Sequence, residues 1–420
     1  MNMRFNKKIF INLFLTIFFS IIVYILITKK IIYPTIVPML NNGILNIFVD
    51  WSVILSANLC QDRVDVYISN PCDFWNRAHV YGEILLNIPF IKNFLKFYYL
   101  VFPIIINFLF LYVLISFFKF KNYIEFLTIL PFVFSIPVLL VIERGNIDNI
   151  IFLLIFFISL NKNLFSNYFF IIVATLIKFY PVVSVIIFLY KKNLKKILIN
   201  FFLLILIVIS ILFFEIDSLK KIFENSKQFA STPHLSFSLI GFINHLNNLQ
   251  IVFKGNDFNW IKFIFIFVVL VIPLIFTIFL TAKTIFSDEQ IKNLFINNNF
   301  ENRIYILSST VLLFCYFAFS NFIYREIFFL GLIPWIINIK KLNNISSFFN
   351  FYYYALCGKF FLSTILIYLY RNHLTLFKPV ATITKHCLDF YLIFIVLMIF
   401  VSALISLIKV LLKNQVPQNV

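Results

Sequence analysis

The chain has 420 residues, of which 62% are hydrophobic and only 12% charged, with a formal net charge of +18. So little polar surface cannot coat a water-soluble globule of this size, so lipid must do the covering and an integral membrane protein is expected. A nucleic-acid binder would gather its basic residues on one soluble face; here they stand in short stretches between apolar runs, so the charge reports topology and nucleic acid is not an expected partner.

In chain order, the first apolar run, 9–27, follows Arg4, Lys7 and Lys8 and begins like a signal peptide. It is too long for such a segment and no small-residue cleavage site follows, which predicts a retained first span. A helix needs about 20 apolar residues to cross the bilayer. Clear candidates follow at 98–118, 126–142, 197–214, 263–280, 304–319, 348–370 and 390–408, with shorter runs at 150–160, 164–177, 182–190 and 327–339. Splitting 164–190 at Tyr180-Pro181 places Lys191, Lys192, Lys195 and Lys196 on the same side as the N-terminal cluster, as the positive-inside rule prefers. The expectation is an all-α polytopic protein, one transmembrane domain over 1–420 with about twelve spans and both termini in the cytoplasm. Outer loops near 28–97 and 215–260 would cap it, and no solenoid period or internal duplication is visible.

Of five cysteines, Cys60 and Cys72 share the first long loop, expected outside the cytoplasm, where either a disulfide or two free thiols can stand. The same loop carries Asp50-Trp51, Asp62, Asp65, the stretch Asn70-Pro71-Cys72-Asp73, and Arg77. Acids, amides and aromatics together suit a sugar, whose apolar face stacks on rings while its hydroxyls meet polar groups; an ordinary solvated loop would look similar. Glu143-Arg144-Gly145-Asn146-Ile147-Asp148 follows the third span on the outer side. Gly and Asn suit a tight turn, but a turn does not require Glu, Arg and Asp together, and charges at a membrane boundary are expensive unless paired or facing a polar cavity. Lys178-Phe179-Tyr180-Pro181 ends the fifth run on that side, with Lys178 either snorkelling to the surface or holding an anion. Tyr324-Arg325-Glu326 repeats the theme, where a plain Arg325–Glu326 loop pair is the competing reading. His234, in the second outer loop, is either structural or a ligand.

Three cations, Arg144, Lys178 and Arg325, and one carboxylate, Asp50, are thus expected on one side of the membrane. That set suits transfer from a lipid-linked phosphosugar: cations stabilise the departing phosphate, and a carboxylate takes the proton of the attacking hydroxyl. Because Arg and Lys can supply the positive charge, no metal or other cofactor is called for.

Asp50-Trp51 after the first span, Gly145-Asn146 with Asp148, Lys178-Phe179-Tyr180-Pro181, and Tyr324-Arg325 leading into Phe328-Phe329-Leu330 and Pro334 follow one another in an order that resembles the polytopic GT-C glycosyltransferases of family 87, the polyprenol-phosphate-mannose-dependent mannosyltransferases. The resemblance spans most of the chain. It implies a GT-C bundle, inverting transfer of mannose or a similar hexose from a polyprenyl-phosphate carrier to a lipid or glycan acceptor, and Asp50 as catalytic base. Arg144, Lys178 and Arg325 are then the expected phosphate ligands, and Trp51, Asp65, Asn146, Asp148, Tyr180 and His234 the expected sugar or acceptor contacts. Glu143-Arg144 before Gly145 and the polar stretch 70–76 depart from the family form and leave sugar and acceptor open. The competing readings are a transporter or flippase of lipid-linked or small anionic substrates, which tends to carry its polar residues at the midplane, and a polymerase or ligase using an oligosaccharide-pyrophosphate donor.

Overall fold

The computed structural model describes residues 2–28, 47–88, 94–95, 97–118, 126–190, 194–226, 236–242, 285–318, 323–340, 347–371 and 378–413. The expected span at 263–280, His234, and the lysines at 119, 121, 191 and 192 lie outside them. The described residues are mostly helical, with no strand among them. Three helical stretches among them are long and apolar enough to cross a membrane: Lys8–Ile27, Phe97–Ser116 and Thr382–Leu411.

The chain divides into two compact units. The first comprises Met1–Val182, Val208–Phe229 and Ser363–His373. Its long helices are α1 (Asn2–Thr28) and α3 (Phe102–Ser116), which pack on each other. Between them lies α2 (Val49–Cys60), a helix inside what the sequence presents as an outer loop. Its twelve residues, VDWSVILSANLC, are apolar enough to bury one face but too short to span, so they settle onto neighbouring protein. The run 126–142 is broken into Leu130–Val133 and α4 (Ile136–Glu143), each with a proline in its first turn, because proline lacks the amide that would continue the preceding turn. Next come α5 (Asp148–Leu160) and α6 (Leu164–Ile177), and the chain then breaks at Lys178, which is extended (φ −147°, ψ 140°), before the 3₁₀ segment Tyr180–Tyr190.

A cap sits on this unit. A disulfide joins Cys60, at the end of α2, to Cys72. Ala57, Cys60, Val66, Tyr67 and Leu86 share a small core with Ile222 of α8 (Ile216–Ser226), which follows α7 (Leu194–Phe214). Gly82 ties the cap to the end of α6: its amide donates to the Ile177 carbonyl at 3.1 Å, and the Leu176 carbonyl oxygen occupies the place a Cβ would take. Gly82→Ala therefore forces backbone apart. Overpacking of this kind costs about 1–3 kcal/mol, so the variant should melt several degrees lower in detergent, and an unchanged melting temperature would sink the close-approach argument.

The second unit comprises Val183–Ile207, Ala230–Leu362 and Leu374–Val420. Its described helices include α9 (Phe300–Ala318), α10 (Ile333–Ile339), α11 (Ser347–Arg371, which ends in the first unit) and α12 (Lys378–Lys413). The 3₁₀ segment Ile323–Leu332 packs along α9 and leads into α10, where Trp335 meets Tyr305 with ring centroids 4.2 Å apart. Helix α12 begins a dozen residues before the apolar run 390–408 and takes Lys385, His386 and Asp389 with it, residues the sequence places in or beside an outer loop.

Candidate functional site

In the first unit, the turn after α4 and the start of α2 build one site. Helix α4 ends with the Asn146 amide donating to the Val141 carbonyl at 3.0 Å, and Gly145 adopts φ +56°, the closing geometry that glycine enters without steric cost. A Cβ there would meet Phe48 Cβ at 3.0 Å and Trp51 Cβ at 3.2 Å, so glycine also lets the turn lie flat against α2. The first amides of any helix lack intrahelical partners; here Phe48 donates to the Glu143 carbonyl at 2.7 Å and Asp50 to that of Arg144 at 2.9 Å. Phe48 itself takes a left-handed conformation (φ 63°), unusual for a residue with a Cβ.

That backbone docking delivers Arg144 to Asp50. The guanidinium grips the carboxylate from two nitrogens, NH2 to Oδ1 at 2.5 Å and Nε to Oδ2 at 2.9 Å. Asn146 Nδ2 donates to Oδ2 at 2.6 Å, and its own Oδ1 accepts from the Asp148 amide at 3.0 Å. A second guanidinium approaches from the cap. Arg77 is gripped by Asp73 at 2.9 and 2.7 Å, donates to the Val49 carbonyl at 3.0 Å, lies over the Trp75 ring, and brings NH1 to 3.7 Å from Asp50 Oδ1. Burial would raise the Asp50 carboxyl, but the charge and hydrogen bonds of Arg144, the Asn146 bond and the charge of Arg77 outweigh it and hold it below the usual carboxylate range. Asp50 is ionised at neutral pH. Beside it a small pocket is lined by Trp51, Phe102, Pro103, Asn107, Gly145 and Asn146. Trp51 stacks on Phe102 at 4.9 Å and donates from Nε1 to the Tyr98 carbonyl at 2.7 Å.

Asp148, the first residue of α5 and fully buried, accepts on Oδ1 from Lys178 Nζ at 2.5 Å and from the Tyr180 hydroxyl at 2.7 Å. Lys178 also sits 5.3 Å from the Tyr81 ring. The sequence has Arg144 and Lys178 as phosphate ligands; the structure finds each closed onto a carboxylate, Arg144 on Asp50 and Lys178 on Asp148. Asn146 links the two pairs. Asp65 lies on the cap, ion-paired with Lys221 of α8, and accepts from the Tyr67 amide at 3.1 Å. Arg325 belongs to the second unit, where its NH1 lies 4.0 Å from Cys315 Sγ.

Under the cap, His79 is fully buried between the Tyr67 and Tyr81 rings, with centroids at 5.3 and 5.6 Å. Burial pushes its pKa down to about 4. The unfolded chain takes up a proton near pH 6.5, whereas the folded one does so only near 4. Its contribution to stability is therefore complete above about pH 6.5 and lost as pH falls toward 4, about 3 kcal/mol in all. His79→Phe should flatten that part of the stability–pH curve, and an unchanged slope would assign the acid sensitivity elsewhere.

The second unit holds a buried charge cluster outside the site residues expected from the sequence. Lys359 Nζ lies 2.6 Å from Glu326 Oε2 and 2.5 Å from Asp389 Oδ1. Lys385 Nζ lies 3.1 Å from Glu326 Oε1 and 2.8 Å from both Asp389 Oδ2 and the Ser236 carbonyl. The four charges alternate in a closed ring, none more than 4% exposed. Glu326 is thus a core residue joined to α11 and α12 rather than half of a loop pair with Arg325. Two signals were present: a lysine in the middle of the apolar run 348–370, and Lys385 and Asp389 one helical turn apart.

Among the described residues no three His, Cys, Asp or Glu side chains gather to hold a metal ion. Comparison of the chain with protein-family models, with curated proteins and with solved structures finds no match.

Proposed function

We propose that the chain is a membrane glycosyltransferase that moves a hexose, mannose being the first candidate, from a polyprenyl-phosphate carrier to a lipid or glycan acceptor on the extracytoplasmic side. In this reading the helices form a GT-C-like bundle of about twelve spans with both termini in the cytoplasm. The observation that carries it is the buried, ionised Asp50 gripped by Arg144 and approached by Arg77. The Cys60–Cys72 disulfide supports the sidedness, since such bonds persist in oxidising compartments.

The step follows from those groups. The acceptor hydroxyl passes its proton to the Asp50 carboxylate while its oxygen bonds to the anomeric carbon from the face opposite the phosphate. The anomeric carbon–oxygen bond breaks, its electron pair leaves with the polyprenyl phosphate, and the cations offset the charge that develops there. The sugar inverts. The test is incubation of purified protein with a labelled polyprenyl-phosphate hexose and candidate acceptors, followed by product analysis.

A carrier or flippase is the second reading, favoured by the ring of Glu326, Lys359, Lys385 and Asp389, because ionisable groups buried in apolar helices mark substrate and ion pathways. Translocation of a labelled lipid-linked sugar in vesicles, with no transfer product from any donor, would decide for it.

A further inference from the structure

We propose that the phosphate of the lipid-linked donor binds across Arg77 and Arg144, and that by drawing both guanidiniums onto itself it releases Asp50 to act as base. The inference rests on the transferase reading; of the three phosphate ligands expected from the sequence, Arg144, Lys178 and Arg325, it keeps Arg144 and sets Arg77 beside it.

Lys178 is poorly placed for that task. Its side chain is 9% exposed and its amine is closed onto Asp148, which also accepts from Tyr180. The arginines reach outward: the side chain of Arg77 is 24% exposed and that of Arg144 is 25% exposed, against 10% for the Asp50 carboxylate between them. Asp73 and the Val49 carbonyl hold Arg77 by Nε and NH2, leaving NH1 pointed at Asp50 from 3.7 Å, longer than the roughly 2.7–2.9 Å of a charge-assisted hydrogen bond. Arg77 is therefore anchored on one side and under-used on the other. A tetrahedral phosphate, with oxygens in several directions, can engage two planar guanidinium forks at once.

The exchange also solves a chemical difficulty. A carboxylate gripped by Arg144 is a poor proton acceptor, because the grip stabilises its charged form. When the phosphate competes for the guanidiniums, that stabilisation falls. During transfer Asp50 gains a proton and loses its negative charge while the departing phosphate gains one, so the arginines follow the charge from one anion to the other. The Asn146 contact stays and keeps the carboxylate oriented.

The test is direct binding to the purified full-length protein in detergent, using farnesyl phosphate as probe, farnesol as the uncharged control and inorganic phosphate as competitor. Wild type should bind farnesyl phosphate and not farnesol. Competition by inorganic phosphate assigns recognition to the phosphate alone, and its absence to the phosphate together with its prenyl chain. Arg77→Gln should weaken binding at least tenfold, and Arg77→Lys, which keeps the charge and loses the fork, should fall between. Asp50→Asn should bind several-fold more tightly, because the competing anion is gone. Unchanged binding by Arg77→Gln, weaker binding by Asp50→Asn, or no binding by wild type would each overturn the proposal. No sugar or acceptor is present in the assay. The expected binding pattern together with no product in the separate labelled-hexose transfer assay would remove the transferase reading and leave the anion site, whereas product in that assay with Arg77-independent binding would do the reverse.

Discussion

Replacing Lys359 with methionine should destabilise the folded protein by about 3–5 kcal/mol, the usual consequence of removing one partner from a buried ion pair. Lys359 is 1% exposed and touches both Glu326 and Asp389, so its loss leaves two carboxylates around Lys385 alone. The expected readout is a large drop in melting temperature in detergent and a smaller folded fraction on size exclusion. Adding Glu326→Gln should recover much of the loss, because the remaining Lys385–Asp389 pair, 2.8 Å apart on one face of α12, is neutral by itself. A single variant as stable as wild type would mean that water reaches the ring. A double variant no better than the single would mean that these charges do not act as a set.

Asp50→Asn is expected to lower the rate of hexose transfer by about 10²- to 10⁴-fold, the range that a positioned general base supplies. The amide keeps an oxygen that can accept from Arg144 or Asn146, so the turn at Gly145 should stay docked on α2 and the melting temperature should fall far less than with Lys359→Met. Initial rates with a labelled donor, measured on protein of matched folded fraction, separate chemistry from folding. Full activity in the asparagine variant would remove Asp50 as the base. Asp148 would be the next residue to test, although its bonds to Lys178 and Tyr180 leave it less accessible to a substrate hydroxyl.

Apolar run length was the most readable feature of the sequence. The runs at 9–27, 348–370 and 390–408 fall within long helices and 98–118 is helical through Ser116, because about 20 apolar residues have few other ways to satisfy their backbone than a helix. What run length does not convey is where backbone geometry interrupts a helix. The prolines at 131 and 137 split one expected span, and at the break near Tyr180-Pro181 the Ile177 carbonyl that Pro181 cannot serve is met by Gly82, almost a hundred residues earlier in the chain. Asp50, Arg144, Asn146 and Asp148 stood out as unusual residues, but their pairing could not be read, because it comes from the docking of residues 143–145 on the start of α2. Arg77 went unassigned because nothing local distinguishes it from any loop arginine. Lys359 was concealed by its apolar neighbours, although a charge in such a run is itself the clue.

Helix α12 carries a consequence for the membrane that hosts it. Its apolar stretch Thr382–Leu411 is 30 residues long and rises about 45 Å, against roughly 30 Å of hydrocarbon in an ordinary bilayer. Fitting it by tilt alone would take an inclination near 48°, steeper than the roughly 0–40° at which such helices are found. Part of its length must therefore lie outside the slab, while the ring with Glu326 and Lys359 shelters Lys385 and Asp389 inside protein at whatever depth they sit.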